Sequence, residues 1–165
     1  PNEPTGPASE KFFPYLSGER TPLNDAHIRA GFSGLGQTSD LAKLTQCVME
    51  GVSFALRDCL EAIRKTDASP SSLLAIGGGS VSQFWLQTIS NTLNIELEKP
   101  KSGEFGAALG AARLAITAIM KNPIEKIMTK PGIERKIMPN QKYVALYQSA
   151  YETYKKGHVH LRGLQ

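Results

Sequence analysis

Cysteine is scarce in this sequence. Only Cys47 and Cys59 occur, both inside a stretch of helical periodicity. At about 1.5 Å of rise per residue their separation along a helix is roughly 18 Å, well past the reach of a disulfide. Reduced thiols packed in a core, in a cytoplasmic protein, are therefore expected, and the absence of any C-x-x-C pair excludes the usual zinc spacings. Long apolar runs are also missing. None reaches 18 residues, so no membrane partner is expected. The opening "PNEPTGPASE" has no basic or apolar leader region, so no secretory signal is expected. It has no initiator Met either, and a piece of a longer chain is expected. Histidine is limited to His27, His158 and His160, in segments that read as loop or tail. No Ser–His–Asp or Cys–His arrangement accompanies them.

Charge of one sign is not concentrated in long blocks. The net charge is +4, with residues 1–120 slightly acidic and residues 121–165 clearly basic. Aromatic residues make up 7% and interleave poorly with the basic ones. A solvated helix face is the expectation, with no nucleic acid as partner.

Glycine is present where chemistry would need it. "LLAIGGGSVSQFWLQTI" (Leu73–Ile89) joins a short apolar strand to a helix that Ser80 or Ser82 can cap. In parallel α/β sheets ligands bind at the carboxyl ends of strands. Free N–H groups at a helix start attract anions, and glycine removes the Cβ atoms that hold a ligand off the backbone. A nucleotide against Gly77–Gly79 is the functional reading, and a tight turn needing positive φ is the structural one. The two common phosphate motifs are absent. A dinucleotide fingerprint needs glycine where Ser82 stands, and a P-loop needs a lysine that does not come until Lys99.

The elements around the turn follow from periodicity. Residues 1–9 read as an extended or disordered segment, and residues 10–165 as one domain. Ser39–Lys65 is a predicted helix, capped by Thr38 or Ser39, with Leu41, Leu44, Val48, Val52, Ala55, Cys59 and Ile63 as its apolar face. Leu73–Ile76 and Ile95–Pro100 are predicted strands. Ser82–Asn94 is a predicted helix burying Trp85, Ile89 and Leu93. Ser102–Lys121 is a predicted helix rich in small residues, and a short strand is expected at Glu134–Met138. A last helix over Gln141–Gly157 has Tyr143, Leu146, Tyr147, Ala150 and Tyr154 as its inner stripe. Alternating helix and strand indicate an α/β fold with parallel strands and packed helices. Two clear strands do not make a whole sheet, so this is expected to be part of a domain.

Three motifs in order, "FFPYLSGERTPLND", "GGGSVSQFWLQTISNTL" and "GEFGAALGAARLA", resemble the C-terminal half of FGGY-type carbohydrate kinases, above all members acting on D-xylulose. The resemblance covers nearly the whole chain. It implies part of an actin-like (ribonuclease H-like) ATPase domain that carries most of the ATP site of a two-domain sugar kinase. By that resemblance Gly77, Gly78, Gly79 and Ser80 lie along the ribose and phosphates of ATP or ADP, and Gln83 lies beside the adenine. The helix from Gly106 to Ala112 shapes the pocket, and the Ser17–Pro22 loop lies near a cleft. The sugar is then bound mainly by an N-terminal domain that also supplies the general-base aspartate and the ligands of Mg2+. Of the aspartates here, Asp25 alone is expected near the cleft, whereas Asp40, Asp58 and Asp67 read as helix-face or turn residues. No catalytic residue is therefore assigned to this stretch, and a homodimer is left open.

Overall fold

A computed structural model describes residues 4–101, 106–120 and 123–162 of the chain. The first helix, α1 (Leu41–Arg64), is capped by Asp40, whose carboxylate accepts the Lys43 N–H at 2.8 Å. Thr38 and Ser39 do not cap it. The Ser39 hydroxyl instead donates to Glu10 at 2.6 Å and accepts the Gly36 N–H at 3.0 Å. The expected apolar face is not the buried one: Leu41 is 79% exposed, Val48 37% and Ile63 45%. The helix buries Cys47, Glu50, Gly51, Ser53, Phe54 and Leu60 instead. It is apolar on two sides, and β1 (Lys11–Phe13) approaches on the side that carries Gly51, whose missing Cβ makes room for Phe12 O.

β1 pairs antiparallel with β2 (Gly31–Ser33) in a sheet of its own. The second sheet has the order β3 (Ser72–Leu74), β4 (Glu96–Pro100), β5 (Ile133–Ile137). β3 and β4 are parallel as expected, joined through a 3-10 turn (Gly78–Val81) and α2 (Gln83–Leu93). β5 is antiparallel to β4, so the sheet is mixed. After α3 (Gly106–Met120) the chain passes through the single turn α4 (Ile124–Ile127) and returns to the carboxyl end of β4. There Lys101 N–H donates to Gly132 O at 3.0 Å. The strand therefore enters from the end at which β4 leaves. The expected start of α3 at Ser102–Phe105 lies outside the described residues.

Two apolar clusters hold these elements. Leu60, Leu86, Leu93, Ile95, Leu97 and Ile137 join the sheet to α1 and α2. Trp85 and Ile89, expected to be buried, are only half-buried beside them. The other cluster is aromatic. Phe13, Tyr15 and Phe54 meet Tyr147, Tyr151 and Tyr154 of α5 (Gln141–Arg162). The Phe13 and Tyr154 rings stack at 4.9 Å, and the Tyr15 and Tyr154 hydroxyls share a hydrogen bond of 2.8 Å. Tyr151 joins the buried stripe while Leu146 is 50% exposed. α5 runs past Gly157, so His158 and His160 stand on a helix rather than in a tail. Their side chains lie outside the described residues.

Residues 4–9 form no regular element but are tied to α1. Ala8 N–H donates to the Glu50 carboxylate (3.0 and 3.2 Å), and Gln46 Nε2 donates to Gly6 O at 2.8 Å. Burial pushes the pKa of Glu50 up, against the hydrogen bonds from Gln46 and Ala8 and the charge of Lys11. Glu10 is opposite in sign. The Ser39 hydroxyl, a backbone N–H and Ser9 together lower it from 4.5 to about 2. Folding thus draws a proton onto Glu50 and strips one from Glu10. The stabilising contribution of Glu50 is complete below 4.5 and is lost as pH rises through its raised value. That of Glu10 is present above 4.5 and lost as pH falls toward about 2. Urea melts at stepped pH are expected to show a mildly acidic optimum. Glu50→Gln should flatten the alkaline limb and Glu10→Gln the acid limb. An unchanged profile in both variants would contradict this assignment.

Candidate functional site

The glycine turn stands at the carboxyl end of β3, and its three glycines have three different reasons. Gly77 adopts φ +84°, a left-handed value that L side chains strain to reach. Gly79 is pressed on by Trp85, and a Cβ there would lie 2.7 Å from the indole ring. Gly78 is held by neither: its φ is ordinary and, among the described residues, no atom lies within 4 Å of where its Cβ would be. Gly77 is equally uncrowded. The main chain at Gly77–Gly78 is therefore open to close approach from outside.

Ser80 is turned inward. It is buried, its N–H donates to Gly77 O at 3.0 Å, and its hydroxyl donates to the same oxygen at 2.7 Å. It closes the turn rather than presenting a hydroxyl to solvent. Ser82 is the N-cap of α2, accepting the Trp85 N–H at 3.2 Å. Trp85 Nε1–H then donates to Met49 O at 3.1 Å, fixing the turn to α1. Gln83 is exposed on the first turn of α2, and its Oε1 accepts from Arg135 of β5 at 2.8 Å.

The structure brings α3 to the same place. A Cβ on Gly106 would lie 2.8 Å from Ile76 Cδ1, so the small residue lets α3 start directly against the residue preceding the turn. Between them lies a cavity of about 380 Å³ lined by Leu74, Ile76, Lys101, Gly106, Leu109 and Arg113. Arg113 also donates to Thr129 O at 3.0 Å. Two cations beyond the carboxyl ends of parallel strands are suited to an anionic ligand. Neither belongs to the glycine motif in the sequence. Lys101 follows the strand-ending Pro100, and that position was the available signal.

The aspartates do other work. Asp25 Oδ1 accepts the N–H groups of His27 (2.9 Å) and Ile28 (3.1 Å), shaping the Glu19–Asp25 loop. Asp58 accepts the Tyr151 hydroxyl. Cys47 is buried, and burial pushes its thiol up to about 12. Cys59 is partly exposed, its pKa raised in the same direction by the same cause. Among the described residues no group of three or more His, Cys, Asp or Glu side chains could hold a metal ion. Among them, too, no helix is long and apolar enough to cross a membrane.

Comparison with known proteins agrees on one relationship. The model of the "FGGY family of carbohydrate kinases, C-terminal domain" matches residues 4–119. The xylulose kinase of Escherichia coli K12 is 35% identical over 146 residues, which is 88% of this chain and 30% of that protein. The crystal structure of a xylulose kinase from Brucella ovis superimposes with a TM-score of 0.91 at 44% identity, over 100% of this chain and 34% of that one. A gluconate kinase from Lactobacillus acidophilus reaches 0.78 at 31% identity, over 95% of this chain and 32% of its own. The chain thus spans about a third of the length of the relatives it matches. The match runs through the β1 hairpin, the glycine turn and α3, and the chain belongs to the FGGY family of carbohydrate kinases, within the actin-like ATPase fold.

Proposed function

We propose that this chain is the nucleotide-binding part of an ATP-dependent sugar kinase, and that the full-length protein transfers the γ-phosphoryl group of ATP to D-xylulose, giving D-xylulose 5-phosphate. The observation that carries the reading is the bare main chain at Gly77–Gly78, open on its outer side within a stretch matched by the family. Backbone without Cβ atoms lets a ribose or phosphate approach closely. Lys101 and Arg113 supply positive charge nearby, and Gln83 stands exposed on the first turn of α2, where a purine would compete with Arg135 for its amide. Gly79 and Ser80 serve the site by holding the turn's shape.

Phosphoryl transfer depends on positioning and charge stabilisation. In this reading the chain positions ATP or ADP, and closure of a cleft against a second domain excludes water. Mg2+, when bound, would neutralise phosphate charge, and its ligands belong to the rest of the protein, as do the general base and the sugar contacts. The family resemblance favours D-xylulose. A different sugar or polyol is the second reading, favoured by the likeness to a gluconate kinase. A non-kinase actin-like ATPase is a third, opposed by the family match.

The test is ADP release by the full-length protein with ATP, Mg2+ and a panel of sugars. D-xylulose is expected to give the highest kcat/KM, and the 165-residue chain alone is expected to bind nucleotide weakly and turn over none. Brisk ADP release without any sugar would establish the ATPase reading, and preference for gluconate would move the substrate.

A further inference from the structure

Gln83 opens α2, and Arg135 lies in β5 opposite Lys99, near the carboxyl end of β4. Residues two apart on a strand share a face. Ile137 is buried with Leu86 and Leu93 of α2, so Arg135 is turned to the side of the sheet that this helix covers. There its Nη1 donates to Gln83 Oε1 at 2.8 Å. The other cations of this corner have carboxylate partners. Lys136, on the opposite face, is held by Glu96 (2.7 Å) and Glu98 (3.2 Å), and Lys99 pairs with Glu134 at 3.3 Å. Among the described residues no ion pair joins Arg135 to a carboxylate, and its hydrogen bond goes to the one side chain of this corner that the family resemblance sets beside adenine.

The chemistry of the two groups fixes which end of the amide is taken. A guanidinium carries donors and no acceptor, so the atom it meets is the amide oxygen. Arg135 claims Oε1 and leaves the two N–H groups of Nε2 for a ligand. Competition between Arg135 and a purine is therefore for the oxygen alone. A base that offers an acceptor leaves the Arg135 contact in place, whereas one that offers an N–H has to break it. Adenine has a bare ring nitrogen at N1, where hypoxanthine and guanine carry N–H. An exposed amide without a fixed partner would turn end for end and suit either kind of base. We infer that Arg135 is a positioning residue for base selection: it holds the Gln83 amide as a donor toward N1 of adenine, and so sets a preference for ATP over a 6-oxopurine triphosphate. Arg135 acts through Gln83 and touches no reacting atom. This rests on the proposal that Gln83 lies beside the adenine, and it does not depend on which sugar is phosphorylated.

Steady-state kinetics of the full-length protein, with the sugar it accepts and with ATP or inosine triphosphate varied, test it. The two nucleotides differ only at N1 and position 6 of the base, so a contact made through N3 or N7 would not tell them apart. The wild-type protein is expected to favour ATP in kcat/KM. Arg135→Ala is expected to lower the ratio of the two kcat/KM values on the order of tenfold, the scale of one mispaired hydrogen bond, with the change carried by KM. Both side chains are exposed, so Tm should stay within about 2 °C of the parent. In a Gln83→Ala background Arg135→Ala should lower the ratio no further, because the effect passes through that amide. A wild type that uses both nucleotides equally, or an unchanged ratio in Arg135→Ala, overturns the inference. A further fall in the double variant would put Arg135 on the nucleotide itself and also overturns it. If the wild-type protein phosphorylates no sugar with either nucleotide, the kinase reading fails and takes this inference with it. Ordinary ATP use with an unmoved ratio sinks the role of Arg135 alone.

Discussion

Gly51→Ala is expected to destabilise the protein by about 3 kcal/mol or more, at the upper end for an overpacked core. Alanine in a helix interior ordinarily stabilises by up to about 1 kcal/mol relative to glycine, so the predicted sign is the reverse of helix propensity. The reason is geometric. A Cβ on Gly51 would stand 2.2 Å from Phe12 O and 2.9 Å from Phe12 C, both main-chain atoms. β1 cannot easily retreat. Phe13 beside it is stacked on Tyr154, and Lys11 Nζ is held by the carbonyls of Ala8 (2.6 Å), Ser9 (3.1 Å) and Glu10 (3.2 Å). Relief requires α1 and β1 to separate along the seam that also carries the buried Glu50. Against a total stability of about 5–15 kcal/mol such a loss is readily seen in a urea melt. A variant as stable as the parent would show that β1 does not press on α1 at this point.

Gly78→Leu in the full-length protein is expected to raise the KM for ATP on the order of 100-fold, the scale of a displacement of about 1 Å from the productive pose. Tm should stay within a few degrees of the parent. The position is a clean probe because its φ is ordinary and its Cβ meets nothing within 4 Å among the described residues. The added side chain therefore enters the space proposed for the ligand. The neighbouring substitutions act through the fold and serve as controls. Gly77→Ala strains a residue at φ +84°, and Gly79→Ala drives a methyl to 2.7 Å from Trp85, so both should lower Tm. If Gly78→Leu leaves the ATP dependence untouched, the open main chain is not the nucleotide seat and the proposed function loses its main support.

Much of the fold was legible because periodicity and turn chemistry are local. The presence of α1, α2 and α5, the Ser82 cap of α2, the strand before the glycines and the short strand near Ile133 all follow from spacing and turn chemistry, whereas the cap of α1 and the end of α5 do not. The side of α1 that would be covered was not legible. Leu41, Val48 and Ile63 repeat like a core stripe, yet Cys47, Gly51 and Phe54 are the residues covered. Period reports that a face is apolar and says nothing about which neighbour arrives, or how closely. Glycine inside a helix is by propensity a cost, and the use of Gly51 is visible only with Phe12 against it. The direction of β5 was hidden for a similar reason, since it depends on where a connection of irregular residues returns. At the candidate site the motif located the turn, but three identical letters concealed three separate demands. Arg113 came to that site through tertiary placement of α3, which no local spacing encodes, whereas Lys101 was marked only by its place after Pro100.

The aromatic cluster has a consequence for synthesis on the ribosome. Tyr15 and Tyr154 meet across 139 positions of sequence, and Phe13 and Phe54 face the same late helix. Until α5 has left the exit tunnel, those early rings have no partner to cover them, and contacts of such long range are slow to form. The nascent chain must therefore carry exposed aromatic surface while the residues between Tyr15 and Tyr154 are made. That interval is when holding chaperones would engage it, and it ends once Tyr154 emerges.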